Sequence, residues 1–209
     1  DQTDNVSWHW KRSAGFDVVT YKGNGSARQI SHSLSKAPEM IWIKCRDNTF
    51  NWKVYHKGAN GGTNPEEYYF RLNHVDAQAT SSTMWNDTAP TSTVFTVGSA
   101  GGVNNNNNDF IAMLFASVNG ISKVGYYDGS DSDQTITLGF QPAHSWLELD
   151  TTRGWATSSG NNSKYLFLEL NWAQNDIDVG YITSTGFVAK GGSGNISESG
   201  TSYIYYAHA

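Results

Sequence analysis

The feature that most constrains the fold is an internal repeat, since two copies of one pattern are expected to build one structure twice. Tyr21 matches Tyr127 in a shared Tyr-x-Gly sequence, an offset of 106 residues (127 − 21). The closing apolar runs, residues 110–116 and 203–209, match at an offset of 93 (203 − 110). Further matches join residues 29–31 to 135–137, Leu34 to Phe140, 69–73 to 167–171, and 95–97 to 187–189. The second copy is therefore shorter, with its deletions in Gly- and Asn-rich stretches, where loops tolerate them.

Composition favours β-structure. Charged residues make up 16% of the chain and aromatic residues 13%, and there are 21 glycines. Low charge with many aromatic residues and glycines is typical of strands joined by tight turns. We therefore predict an all-β fold made of two tandem jelly-roll-like β-sandwich units, residues 16–119 and 120–209, preceded by a linker at residues 1–15. The alternative is one sandwich shared between the two halves.

Each unit is predicted to contain about seven strands. In the first unit, short alternating or apolar runs predict strands at residues 17–22, 28–33, 39–46, 52–56, 68–73, 94–97 and 110–117. Glycine and asparagine, which supply positive φ, predict turns at residues 23–25, 58–62 and 98–108. Within the last of these, the asparagine run at residues 104–108 is predicted to be an exposed loop. No helix longer than about two turns is expected.

Charge and hydropathy exclude two kinds of partner. The formal net charge is −5, and no basic run extends beyond Lys11 and Arg12, which argues against nucleic acid. No apolar stretch approaches the roughly 18 residues that a membrane-spanning helix needs. The single cysteine, Cys45, lies in an apolar run and is predicted to be a buried thiol.

Aromatic residues beside turns are the best candidates for ligand binding. Tryptophan and tyrosine present flat faces that can stack on sugars, and neighbouring polar side chains can bind sugar hydroxyls. The alternative is that the tryptophans are core residues on the inner faces of strands. The candidate ligand-binding residues are Trp52, Tyr55, His56, Trp85, Asn86 and Asp87.

Acidic residues give two weaker candidates. Asp128, Asp131 and Asp133 lie within six residues and could bind Ca²⁺ through oxygen ligands, or could belong to an exposed polar turn. No other cofactor is expected. Glycoside hydrolysis requires paired carboxylates across a cleft, for which the candidates are Glu66, Glu67, Glu148 and Asp150. Nucleophile-elbow, phosphate-loop and dinucleotide-binding motifs are absent from the sequence, and the six histidines show no metal-ligand spacing.

Several segments of the sequence resemble a domain that recurs in virion proteins of marine tailed phages, including phages of cyanobacteria. The resemblance is dense in the first unit and looser in the second, which lacks a counterpart of residues 85–91. These segments are residues 10–25, 30–34 with Ala37 and Pro38, 52–56, 85–95 and 111–120. The resemblance implies a location on the virion surface, with other virion proteins and copies of the same chain as partners. The resemblance assigns no catalytic residues to this sequence. It also implies one segment of a longer polypeptide, as expected for a sequence that begins at Asp1 without methionine.

Three functions follow as hypotheses. The first is a non-enzymatic virion structural protein, of the tail-fibre, appendage or particle-surface type, which contributes to adhesion to the host surface. The second is a carbohydrate-binding, lectin-like module that recognises a host-surface glycan. The third is a polysaccharide-degrading enzyme.

Overall fold

The computed structural model describes residues 11–12, 15–74, 76–142, 144–145, 163–165, 175–193 and 196–209. Most of the predicted linker at residues 1–15 and the repeat segment at residues 167–171 lie outside this part of the chain. The strands of the first half are β1 (Phe16–Lys22), β2 (Arg28–Ser31), β3 (Met40–Cys45), β4 (Lys53–His56), β5 (Tyr68–Arg71), β6 (Ala79–Thr80), β7 (Val94–Val97) and β8 (Asp109–Phe115). Those of the second half are β9 (Ser122–Asp128), β10 (Gln134–Thr137), β11 (His144–Ser145), β12 (Ser163–Tyr165), β13 (Asn175–Ile177), β14 (Gly180–Thr183), β15 (Gly186–Ala189) and β16 (Ser202–His208).

The prediction of an all-β fold is confirmed. All seven strands predicted for the first unit occur, each within two residues of its predicted bounds. The sequence patterns missed the short edge strand β6 and the single helical turn α1 (Gly101–Asn104). Two further turns, Ala59–Gly62 and Pro65–Glu67, have 3₁₀ geometry. In the part of the chain that the structure describes, no helix has the length and apolar character that crossing a membrane requires.

The strands form antiparallel sheets. The largest has six strands in the order β1-β8-β3-β4-β5-β6. Two three-stranded sheets have the orders β11-β16-β9 and β10-β15-β14, and the pairs β2-β7 and β12-β13 form two-stranded sheets.

Strand register repeats along with the sequence. Phe16 of β1 pairs with Phe115 of β8, and adding the sequence offsets of 106 and 93 gives the observed pair of Ser122 with His208 in β9 and β16. The pair β2-β7 and the pair β10-β15 also correspond, since adding the offsets of 106 and 92 to Arg28 and Val97 gives Gln134 and Ala189, which lie opposite each other. Residues aligned from the sequence therefore occupy matching positions in paired strands.

Three apolar clusters hold the sheets together. One face of the six-stranded sheet packs into a first core that includes Ile43, Phe110 and Leu114. A separate second core, around Phe187 and Tyr205, belongs to the second half. The opposite face of the six-stranded sheet meets the β9-β16 sheet in a third cluster, which we call the junction core. Its buried members are Phe16, Met40, Val54, Phe115, Val124 and Tyr206.

Two sequence predictions about single residues have different outcomes. Cys45 is buried, as predicted, and its Sγ accepts a hydrogen bond from Nδ2 of Asn108 at 3.4 Å. The prediction of an exposed loop is wrong for Asn104, the first residue of the asparagine run, which is fully buried. Its amide group donates to the carbonyl oxygens of Ser26 at 2.7 Å and Gly98 at 2.9 Å. Burial of this amide is stable because its hydrogen bonds to the backbone replace those to water.

Candidate functional site

The predicted aromatic ligand site is divided between the interior and the surface. Trp85 and Tyr55 are buried in the first core, with ring centroids 5.9 Å apart and edge-on geometry. Nε1 of Trp85 donates to the carbonyl oxygen of Tyr68 at 2.8 Å. A sugar must reach the face of a ring to stack on it, so these two rings serve packing in this fold. Trp52 is half-buried, whereas Asn86 and Asp87 are exposed in a turn with left-handed φ.

His56 lies where the two halves meet. It is 1% exposed, and its Nε2 lies 3.3 Å from the carbonyl oxygen of Tyr205. The backbone N–H of Gly58 donates to its Nδ1 at 3.0 Å. Burial lowers the pKa of His56 to about 4, although the Tyr205 carbonyl acts in the opposite direction. The imidazole is therefore neutral near pH 7 and joins β4 to β16.

An ion pair lies beside His56. Nζ of Lys57 lies 2.5 Å from Oε1 of Glu39, and the backbone N–H of Ser117 donates to Oε2 at 2.6 Å. Burial raises the pKa of Glu39, but the hydrogen bonds from Lys57 and Ser117 outweigh it, so the pKa is below its usual value. The hydroxyl of Ser117 accepts from the backbone N–H of Val124 at 3.0 Å. The carboxylate thus fastens the segment between β8 and β9 to the six-stranded sheet.

Both halves of the chain line an open cleft of about 690 Å³ beside the junction core. We call it the junction cleft. The first half contributes Asn60, Gly61, Phe70 and residues 76–78, and the second half contributes residues 200–202 and Ile204. The sequence patterns did not identify this cleft, because its two sides are more than 120 residues apart (200 − 78).

The turn at residues 58–62 is shaped by a tyrosine from the second half. A Cβ on Gly58 would lie 2.5 Å from Cβ of Tyr126, and a Cβ on Gly62 would lie 2.5 Å from the Tyr126 hydroxyl oxygen. Asn60 between them has left-handed backbone, with φ 51° and ψ 39°. Its N–H donates to Oε1 of Gln78 at 2.7 Å, which ties the turn to the neighbouring side of the cleft. The glycine cluster was read from sequence only as a turn, whereas the close approach of Tyr126 explains two of its glycines.

The sequence profile of a family described as a domain of unknown function (DUF7483) matches residues 3–209. The chain belongs to the DUF7483 family. The match includes both copies of the repeat. Searches of curated proteins and of solved structures find no match to the chain.

The predicted calcium ligands of this DUF7483 domain have separate partners. Oδ1 of Asp128 accepts from the hydroxyl of Ser202 at 2.7 Å, and Oδ1 of Asp133 accepts from the N–H of Gly191 at 2.9 Å. Asp131 is exposed. Among the described residues, no three histidine, cysteine or acidic side chains are placed to hold a metal ion. Asp128 is the last residue of β9, and Asp131 and Asp133 lie in the exposed loop between β9 and β10, so calcium binding by these aspartates stays a prediction.

Of the acidic candidates for hydrolysis, the structure describes Glu66 and Glu67, and neither lines the junction cleft. Glu66 and Glu67 lie in the 3₁₀ turn Pro65–Glu67, where Oε1 of Glu67 accepts from Nδ2 of Asn64 at 3.3 Å. Glu148 and Asp150 lie outside the residues that the structure describes.

Proposed function

We propose that this chain is a structural segment of a phage virion surface protein, of the tail-fibre, appendage or particle-surface type, which contributes to adhesion to the host. The observation that carries the proposal is the repeated strand register, together with an apolar junction between the repeated parts. Tandem copies of one unit that share a buried interface make a rigid, extended element suited to a particle surface. The sequence resemblance to phage virion proteins supports the same assignment.

Side-chain contacts at equivalent positions support the repeat within this proposal. Tyr21 donates to the carbonyl oxygen of Val103 at 2.5 Å, and Tyr127 donates to that of Ile196, also at 2.5 Å. The Tyr21 ring also stacks on Phe110 at 5.2 Å between centroids, and Tyr127 stacks on Tyr203 at 5.5 Å. We extend the proposal to two tandem jelly-roll-like units, residues 16–119 and 120–209.

A buried carboxylate with several hydrogen bonds supports a structural role. The buried carboxylate of Asp17 accepts hydrogen bonds from Arg12, from both the backbone and the hydroxyl of Ser33, and from the N–H of Val18. Burial raises the pKa of Asp17, and these bonds lower it further than burial raises it. The carboxylate holds the segment after β2 against β1, just as Glu39 holds the segment after β8.

The test is the presence of the chain in particles of the phage that encodes it. Particles purified by two density gradients are analysed by peptide mass spectrometry and by gold-labelled antibodies against the chain. We expect peptides at a fixed ratio to the major capsid protein and label at one location on the particle surface. Detection in the infected lysate with absence from purified particles would reject the proposal.

Two further measurements separate the alternatives. Homo-oligomers of the purified chain, detected by light scattering after size-exclusion chromatography, are expected for a component of a symmetric assembly. Incubation with host-envelope polysaccharide, followed by a reducing-end assay, tests the enzyme hypothesis. Release of new reducing ends by the chain would favour that hypothesis over the structural one.

A further inference from the structure

The junction cleft combines the size and the mixed lining of a small-molecule site. Its volume of about 690 Å³ lies within the roughly 300–1,000 Å³ that is typical of ligand pockets. Its lining is contributed by both halves of the chain, so the cleft exists only when the β16 side meets the turn at residues 58–62.

Apolar and uncharged polar groups both occur in this lining. Phe70 and Ile204 supply apolar surface beside the junction core. Asn60 and Gln78 supply amides, and Thr201 and Ser202 supply hydroxyls. This combination suits a ring that has one apolar face and several hydroxyl groups at its edge, because hydroxyls and amides both donate and accept.

Hydrogen-bonding capacity remains on these side chains. Nδ2 of Asn60 donates to the carbonyl oxygen of Thr63 at 3.0 Å, and Oε1 of Gln78 accepts from the backbone N–H of Asn60 at 2.7 Å.

 Among the contacts of the described residues, Oδ1 of Asn60 and Nε2 of Gln78 therefore stay available to a ligand. Ser202 donates its hydroxyl proton to Asp128 and keeps the acceptor capacity of its oxygen.

The charge of the cleft favours a neutral ligand. Asp76 is the ionisable side chain in the lining, and it is paired with Arg71 and lies 2.9 Å from Nδ1 of His74. An anionic ligand would meet this carboxylate without a free cation in the lining to balance it. A peptide would be expected to need a longer apolar groove than Phe70 and Ile204 provide.

The turn at residues 58–62 is held in place before any ligand binds. Its left-handed Asn60 is fixed by hydrogen bonds to Gln78 and Thr63, and Gly58 and Gly62 pack on Tyr126. Asparagine adopts left-handed backbone more readily than most other residues with a side chain, so this conformation suits a fixed turn. Fixed polar groups also lower the entropic cost of binding.

We infer that the junction cleft binds a neutral oligosaccharide, with the apolar face of a sugar ring against Phe70 and Ile204 and its hydroxyls on Asn60, Gln78 and Ser202. The inference names a ligand class for the proposed role in host adhesion, and its biological role rests on that proposal. The binding itself is a property of the isolated chain.

The test is a titration of the purified full chain with three neutral trisaccharides: maltotriose, mannotriose and N-acetylchitotriose. Sialyllactose serves as the charged comparison. Methyl resonances of isoleucine report the location, with Ile204 in the cleft and Ile121, which is 50% exposed, as the reference outside it. We expect at least one neutral trisaccharide to shift the Ile204 methyl and to leave the Ile121 methyl unchanged.

A matched pair of variants tests the location independently. Ala77→Trp places a large side chain in the cleft, whereas Ala89→Trp makes the same change at another exposed position. We expect Ala77→Trp to weaken binding by at least about tenfold, or roughly 1.4 kcal/mol, and Ala89→Trp to bind like the parent. Thermal unfolding of both variants checks the fold, and the methyl shifts of the parent decide the matter if Ala77→Trp unfolds.

Three outcomes would overturn the inference: no shift with any neutral trisaccharide, shifts with sialyllactose alone, or equal binding by the two variants. These outcomes are independent of the particle experiment. A chain that is present in particles but binds no trisaccharide retains the structural role and loses the cleft assignment. A chain that binds a trisaccharide but is absent from particles retains the cleft assignment and loses the structural role.

Discussion

His56 contacts the backbone of Tyr205, a residue that follows it by 149 positions in the chain. The N–H of Gly58 occupies Nδ1 of the imidazole, so the proton lies on Nε2, which donates to the Tyr205 carbonyl oxygen at 3.3 Å. One neutral side chain thus links the six-stranded sheet to the β9-β16 sheet. Protonation of Nδ1 would remove the acceptor for Gly58 and place a charge in the junction.

The stability of the domain is therefore expected to fall with acid. The pKa of His56 is about 4 in the folded chain and 6.5 as the ordinary value, so the unfolded chain binds the proton more tightly. The contribution of neutral His56 is fully present above about pH 6.5 and is lost as the pH falls toward 4. The gap between these two pKa values corresponds to about 3 kcal/mol of folding free energy. Urea unfolding at a series of pH values between 4 and 7 measures it.

The variant His56→Gln is the control for this titration, because glutamine carries a neutral amide that does not titrate. The free energy of unfolding should then change much less between pH 6.5 and 4. Glu39 and Asp17, whose pKa values are lowered, add stability that is lost only as the pH falls below their ordinary values of 4.5 and 3.8. Parallel pH profiles for parent and variant would contradict the role assigned to His56.

The buried amide of Asn104 predicts a large effect of a small change. In Asn104→Ala, the carbonyl oxygens of Ser26 and Gly98 lose their donor. Unsatisfied buried acceptors cost about 1–3 kcal/mol each, and we expect a total loss of about 2–4 kcal/mol. Chemical denaturation measures the loss.

Asn106→Ala is the matched control, since Asn106 belongs to the same asparagine run and is exposed. Its free energy of unfolding should stay within about 0.5 kcal/mol of the parent. Equal effects at the two positions would show that the run acts as a uniform loop, as the sequence predicted.

The different burial of Asn104 and Asn106 could not be predicted from the sequence. Identical residues two positions apart have opposite burial, because the local turn, and not the residue type, decides which amide points inward. The strand Val94–Val97 was predicted at its observed bounds, since its apolar and β-branched residues form a compact pattern. Strand pairs were not predicted, although once the pair of Phe16 with Phe115 is known, the sequence alignment gives the pair of Ser122 with His208.

The candidate site could not be found in this way. The contact of His56 with Tyr205 and the packing of Tyr126 on Gly58 join residues that are far apart in the chain. Periodicity reports which face of a strand is buried, but not which distant strand covers that face. For Trp85, the sequence left core and ligand platform open, and burial decided for the core.

Tryptophan substitutions separate packing from surface roles. Trp85 is 2% exposed and donates to the Tyr68 carbonyl, so Trp85→Ala should cost about 3–5 kcal/mol. Trp52 is half-buried, and Trp52→Ala should cost distinctly less. Thermal and urea unfolding of both variants provide the measurement, and equal losses would contradict the different packing of the two rings.

Tyr21 and Tyr127 offer a direct test of the structural repeat. Each hydroxyl donates to a backbone carbonyl at 2.5 Å, that of Val103 for Tyr21 and that of Ile196 for Tyr127. Burial raises the pKa of both tyrosines. Substitution by phenylalanine keeps the ring and leaves one carbonyl without its donor, so each variant should lose about 1–2 kcal/mol.

The two losses should agree within about 0.5 kcal/mol if the two positions are equivalent, and they should add in the double variant because the sites are separate. Tyr126→Phe is the control, since the Tyr126 side chain is 43% exposed and should change stability little. Urea unfolding of the four variants gives the comparison. A loss at Tyr21 without a matching loss at Tyr127 would mean that the second copy retains the strand register of the first but not the energetics of its buried hydrogen bond.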